Sequence, residues 1–577
     1  MSQQTIQTDV NNISAQQVPI TSQFDSDRYA VLFEPGTYGS SADPLVFQVG
    51  YYTEVAGLGY LPQDTVINGA IDVFNNSCKA RTLDCNSDNN FWRSLSNLTL
   101  NVDLPHSPPT YVPAVVDPKG PGCTNTEESW SASQADPIRR VIVNGSLVLQ
   151  DYCASDAYAS GGFIADSRVS GHLDFYGNQQ YLVRNSTIGG TTGCPQGLWN
   201  MVYSGVAGAP SPVFAGRCEQ NSVISTSPLS EEEPFLYSSR ENKYRVFVPA
   251  AQHDTSGPSW ASGEEAGTSI PISSFLVADP GTPLSTINTA LALGRNLILT
   301  PGTYHLAQPI AVTRANTVVL GEGFATLVPQ HGKAAMVIDS DNGVKVSGLI
   351  IDAGPVNSPF LLVVGTRMSI LHKTESPDLI QDVFFRIGGE ETTPLGATVS
   401  LLDNADNSII DDVWAWRADH GRLVGWTENS ASTGVVVAGD DVTAYGLAVE
   451  HYQKAEVIWQ GQGGTLIFFE NELPYDPPAQ AAWMAGPKQE GYPAFLVASD
   501  VKTFRGYGMG SYVVFIDTTA DLHDAEPFEV PDTPAVQLHD VFAVWIGGLG
   551  GDDSVIDGVG GPVTSSSPGP VDVASYP

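Results

Sequence analysis

Short β-forming runs punctuated by Gly, Asn and Asp, with no amphipathic helices between them, most narrow what this chain can fold into. They include TVVLG (317–321), AMVID (335–339), VKVSGLIID (344–352), LLVVG (361–365), SIIDDVWAW (408–416), DVTAYGLAVEH (441–451) and TLIFFENE (465–472). In places they recur every 20–25 residues, as from Val442 to Leu466, a step of 24. A strand this short cannot bury an apolar face alone, but stacking one coil on the next makes a continuous core. The expected fold class is therefore all-β, a right-handed parallel β-helix of the pectin-lyase-like kind. A β-sandwich would also show many short strands, but at a period nearer 8–12 residues with hairpin turns. Val344, Val346, Leu349 and Ile351 alternate as inward positions, with a break in the strand at Gly348.

An internal echo sets the domain count. PGTY begins at Pro35 and again at Pro301, and each copy reaches a glycine turn some twenty residues later, at Gly59 and Gly323. The offsets are 266 and 264 residues, which points to two homologous β-helix halves. The expected layout is an N-terminal arm (1–29), a first half (30–217), a connecting segment (218–275), a second half carrying the candidate site (276–557) and a loose tail (558–577). One helix is expected: Ser285 N-caps TINTALAL, Gly294 ends it, and it covers an open coil end.

Charged residues are 15% of the chain, against about 25% in ordinary soluble domains. With 26 Lys and Arg against 63 Asp and Glu, the net charge is −37, which argues against nucleic acid, anionic membrane and polyanionic substrates. No run of about 18 apolar residues offers a membrane span. The six cysteines (Cys78, Cys85, Cys123, Cys153, Cys194, Cys218) fall in the first half without a C-x-x-C pair, so they read as disulfides rather than zinc ligands. The simplest pairing is Cys78–Cys85, Cys123–Cys153 and Cys194–Cys218, one of fifteen possible. Sequons at Asn12, Asn75, Asn97, Asn144 and Asn185 join them in suggesting a secreted glycoprotein. The opening MSQQTIQTDV holds no apolar signal core, so export implies a removed signal or another route.

No nucleophile elbow, Walker loop, H-E-x-x-H or dinucleotide fingerprint stands in a supporting context, so neither cofactor nor metal is expected. What remains is a concentration of carboxylates and aromatics from 404 to 476. It holds Asp411, Asp412, Trp414, Trp416, Asp419, His420, Trp426, Asp440, Asp441, Glu450, His451, Trp459, Glu470, Glu472, Tyr475 and Asp476. Stacked coils place matching residues about 4.8 Å apart, so carboxylates one or two coils apart suit a glycosidase acid and base. Asp419 and the adjacent pair Asp440–Asp441 are candidate catalytic carboxylates, each about as able to serve a turn or a strand end. Trp416, His420, Trp426, Glu450, His451, Trp459 and Glu470 are the expected substrate contacts. Asp and Asn also cap turns, and Asp411–Asp412 fits that role equally well.

The segments NFWRSLSNLTL, WSASQADPIRR, GLWNMVYSG, PGTYHL, LIIDAGPVNSP, IQDVFFRIGG, WAWRADHG, AGDDVTAYGLAVEHYQK and FFENELPYD resemble secreted microbial glycoside hydrolases of family 87. That resemblance implies a right-handed β-helix, inverting hydrolysis of a neutral polysaccharide such as α-1,3-glucan, and three aspartates matching Asp419, Asp440 and Asp441. The twin-half layout also resembles the family 55 exo-β-1,3-glucanases, although their usual GDG-V-x-DD-type opening is absent. The rivals are a lyase of the same fold, which would need a basic groove, and a non-catalytic carbohydrate-binding protein whose carboxylates all serve turns.

Overall fold

The structure, a computed structural model, describes residues 2–577 except 75–86, 104–125, 151–157, 193–198, 215–219, 240, 242, 264, 341, 366–375 and 391–394. All six cysteines and Asn75 lie outside the described residues. Contacts divide the chain into two compact units. One is Met1–Ser274 with Glu322–Phe324, and the other is Phe275–Gly321 with Ala325–Pro577.

In the first unit the arm is a helix, α1 (Gln3–Gln17), whose N-cap Ser2 accepts the Thr5 N–H and which buries Val10, Ser14 and Gln17. Its main sheet is parallel and eight-stranded, running from Tyr29–Phe33 to Asn221–Ile224. Asn97, Arg140, Asp166 and Asn185 follow successive strands in the left-handed conformation and form one column of corners. A second column is an amide ladder: Asn144 donates to Asn101 at 2.8 Å and Asn101 to Asn68 at 2.7 Å. Two further sequons, beside that of Asn144, are spent on structure. Asn97 is buried, with its amide on the carbonyls of Gly57 and Gly59, and buried Asn185 donates to Ser230, Glu232 and Thr255. Neither amide can carry a glycan in this fold. The segment expected as a connector begins as the last coil and continues into an antiparallel sheet of Phe235–Ser238, Tyr244–Pro249 and Gly267–Pro271.

The second unit opens with the strand Phe275–Ala278, followed by α2 (Leu284–Ala292), which is capped by Pro283 without a side-chain bond, so Ser285 lies in the first turn rather than at the N-cap. Gly294 ends it at φ +86°, as expected. Seven strands then stack in parallel: β1 (Lys345–Asp352), β2 (Leu379–Ile387), β3 (Ile409–Arg417), β4 (Thr443–Glu450), β5 (Gly464–Glu472), β6 (Phe504–Phe515) and β7 (Val536–Gly548). Each has a left-handed residue within it (Gly348, Asp382, Asp412, Gly446, Phe468, Gly508 and Asp540), and there the strand bends. Asp412 thus serves the bend. The next residue and the third one on face inward, giving an apolar column that includes Leu349, Ile351, Val383, Phe385, Val413, Ala415, Leu447 and Val449. A separate parallel sheet, from Ile310–Val312 to Phe528–Glu529, closes the coil. Residues 558–577 are not loose: Val571–Tyr576 pairs antiparallel with β7, and Val563–Thr564 with Gly550–Asp552.

Candidate active site

The fourth residue after each bend points away from the coil interior, and parallel register lines these residues into one row. The row is Asp352, Arg386, Trp416, Glu450, Glu472, Tyr512 and Val544. Two positions after the bend a second row reads Phe384, Trp414, Ala448, Glu470 and Gly510. Glu450, Glu472 and Glu470 therefore stand on neighbouring strands, which lie about 4.8 Å apart. Glu450 and Glu470 are buried, whereas the Glu472 side chain keeps 20% of its surface exposed. The Trp414 indole donates to Glu450 Oε2 at 2.9 Å. Burial and the neighbouring Glu472 and Glu470 push the Glu450 carboxyl well above the usual range. Carboxylates this close oppose one another's ionisation.

The turn after β3 supplies an ionised neighbour. Asp419 Oδ1 accepts from the Trp416 indole at 3.2 Å and meets His420 Nδ1 at 2.9 Å. Burial opposes its ionisation, but the His420 charge and hydrogen bond, with His451 beyond, hold it far below the ordinary range. His451 lies between the two kinds of acid, its Nε2 3.9 Å from Asp419 Oδ1 and 3.6 Å from Glu472 Oε2. The two carboxylate oxygens are accordingly no more than about 7.5 Å apart. Burial and the adjacent Arg417 lower the His451 pKa.

Beside them opens a cavity of about 420 Å³, lined by Arg417, Asp419, His420, Trp426, His451, Tyr475, Asp476 and Asp517 among others, a volume suited to a small ligand. Arg417 fixes its wall, with a forked pair to Asp476 at 2.9 and 2.7 Å and bonds to the carbonyls of Asn429 (2.8 Å) and His451 (3.0 Å). Arg417 is thus a keystone of this wall.

Of the expected site residues, Trp416, Asp419, His420, Trp426, Glu450, His451 and Glu470 gather at this end of the sheet. Trp416 is buried against Trp414 at 5.1 Å, so it supports Asp419 rather than offering an open stacking face; Trp426 is the partly exposed ring on the cavity. Trp459 is elsewhere, inside the coil between Phe495 and Phe504. Asp440 and Asp441 precede β4, with the whole bent strand between them and Asp419. They do turn work: Asp440 accepts the Gln462 N–H at 2.7 Å, its own N–H binds Asp406, and exposed Asp441 takes φ +56°. The expected aspartate trio is therefore not brought to one bond. Glu472, Tyr475 and Asp517 were missing from the expected set.

Residues 275–472 match the LAM55 pectate lyase-like domain. An exo-β-1,3-glucanase from Streptomyces sp. (strain SirexAA-E / ActE) is 42% identical over 559 residues, covering 96% of this chain and 85% of the relative. The solved structure of sacteLam55A from Streptomyces sp. SirexAA-E superposes with a TM-score of 0.88 at 40% identity, over 99% of this chain and 96% of that one. A variant of the same enzyme with a glutamate replaced by alanine, solved in complex with glucose, gives 0.87 at the same identity and the same coverage. Stacked acids beside a small cavity on a pectate-lyase-like β-helix, with these relatives, define a glycoside hydrolase. The chain belongs to glycoside hydrolase family 55. This match displaces the expected family 87 membership and gives α-1,3-glucan no support, while the twin-half likeness pointed to the right family. The purely binding and lyase readings fall with it.

Proposed function

We propose that this enzyme removes glucose from the ends of β-1,3-glucan chains, with Glu472 as the general acid. The observation that carries the reading is the in-register pair Glu450 and Glu472 beside the cavity, with Glu470 two residues before Glu472 on the same strand and Glu472 the exposed member. The relative's exo-β-1,3-glucanase activity and the neighbour's glucose complex support the substrate class. Glu472 protonates the departing glycosidic oxygen as the bond to the anomeric carbon breaks. Water adds to that carbon from the opposite face and releases its proton to solvent, from which Glu472 is reprotonated before the next turnover. Asp419 is too weak a base to take a proton efficiently at neutral pH, because its pKa lies so far below it. It acts instead as a fixed anion facing the positive charge that develops on the sugar ring. Trp426 and the polar cavity wall hold the terminal sugar. A polymeric substrate fits action outside the cell.

The test is product analysis on β-1,3-glucan and α-1,3-glucan, beside Glu472→Gln. Glucose from the β-linked polymer alone, abolished in a folded variant, is the expected result. Full activity of Glu472→Gln would remove the acid from this residue. A ladder of oligosaccharides would replace end-cleavage with internal cleavage.

A further inference from the structure

The chain leaving β5 doubles back over its own last residue. Leu473 drops into the core, Pro474 fixes the backbone, and Tyr475 returns so that its hydroxyl donates to Glu472 Oε2. The phenol ring stands edge-on against His451, with centroids 4.4 Å apart at 66°. Asp517 anchors the turn from the next coil by donating its N–H to the Tyr475 carbonyl at 3.2 Å. His451 Nε2, at 3.6 Å, faces the same Glu472 oxygen. Oε2 is thereby engaged on two sides.

From this geometry, and resting on Glu472 as the acid, we propose that Tyr475 is the positioning residue that orients its carboxyl and stabilises the carboxylate formed on proton transfer. A free carboxyl turns about its last bond between two equivalent settings, and one strong donor selects between them. The same bond strengthens as Glu472 becomes charged, so it favours the transition state over the resting acid. Tyr475 itself keeps its proton, because burial and the negative Glu472 and Asp419 hold the phenol neutral. The ionisable groups facing this pair are Glu450 and Glu470 on the sheet, Asp419 and His451 at the cavity, and Glu456 at the following corner.

Tyr475→Phe in the full chain removes the donor and keeps the ring on His451. On β-1,3-glucan, kcat should fall about 10- to 100-fold with KM changed less than about twofold. The alkaline limb of kcat/KM should move to higher pH, since ionised Glu472 has lost a donor. An aryl glucoside with a good leaving group, which needs little protonation, should be turned over nearly as by wild type. With Glu472→Gln inactive on glucan, an unchanged kcat and alkaline limb in Tyr475→Phe would overturn the proposal. So would a rise in KM alone, which would make Tyr475 a substrate contact. An active Glu472→Gln would instead remove the acid assignment, and the positioning role with it.

Discussion

Replacing Asp476 by Asn tests whether the cavity wall depends on the Arg417 fork. The substitution keeps size and shape but leaves a guanidinium, 2% exposed, without its anion. Removing one partner of a buried ion pair costs about 3–5 kcal/mol, mostly from stranding the other charge. The second unit has about 300 residues. At about 2.1 cal/mol/K of unfolding entropy per residue, that cost lowers its Tm by about 5–8 °C. Calorimetry of the full chain reads it, and KM for glucan should rise as well, because Arg417 also holds the Asn429 and His451 carbonyls and lies 5.6 Å from the Trp426 ring centre. The double variant Arg417→Met with Asp476→Leu should be more stable than Asp476→Asn, since neither charge is then stranded. A Tm within about 1 °C of wild type for Asp476→Asn, or double-variant losses that simply add, would refute the reasoning.

Asp440→Asn and Asp441→Asn should keep near wild-type kcat on glucan, because both serve a turn; loss of turnover in a folded variant would return them to the site. Trp459→Ala should destabilise the fold by about 3–5 kcal/mol in chemical denaturation through the cavity it leaves, with little change in the kcat of the remaining folded enzyme. Asp403 is buried and its pKa is pushed up to about 7, chiefly by desolvation, so the folded chain binds a proton that the unfolded chain has released. Stability from this group is therefore greatest below about pH 4 and is lost as pH rises toward 7, by about 4 kcal/mol at most. In Asp403→Asn that decline should be missing from a series of unfolding curves; an identical slope in both proteins would exclude Asp403 as its source.

The coil was legible wherever the inward rhythm was strong. Val344, Val346, Leu349 and Ile351 are all fully buried around a bend at Gly348. The two PGTY copies form matching strands, Gly36–Tyr38 and Thr303–Leu306, in the opening coil of each unit. Helix α1 escaped because QQTIQTDVNNISAQQ lacks a clear apolar stripe and buries two polar residues with one valine. Asp440–Asp441 attracted attention as adjacent acids, but parallel strands bring together only like ends, and this pair starts its strand while Asp419 follows the end of its own. Glu472 was harder to see because register depends on the bends. Once Asp412, Gly446 and Phe468 are known to stack, Trp416, Glu450 and Glu472 each lie four residues on. Phe468 is an improbable left-handed residue, so nothing local announces the third bend.

The coils differ greatly in length while their register does not. Thr443 to Thr465 spans 22 residues and Thr465 to Arg505 spans 40, yet each pair sits side by side. Chain can thus be added or trimmed at a corner without sliding the acids past one another. Two enzymes of this design can share one catalytic row and differ in the walls around it. Grafting the excursion between Glu472 and Phe504 from a relative would be a direct way to redraw the cavity mouth while the chemistry stays where it is.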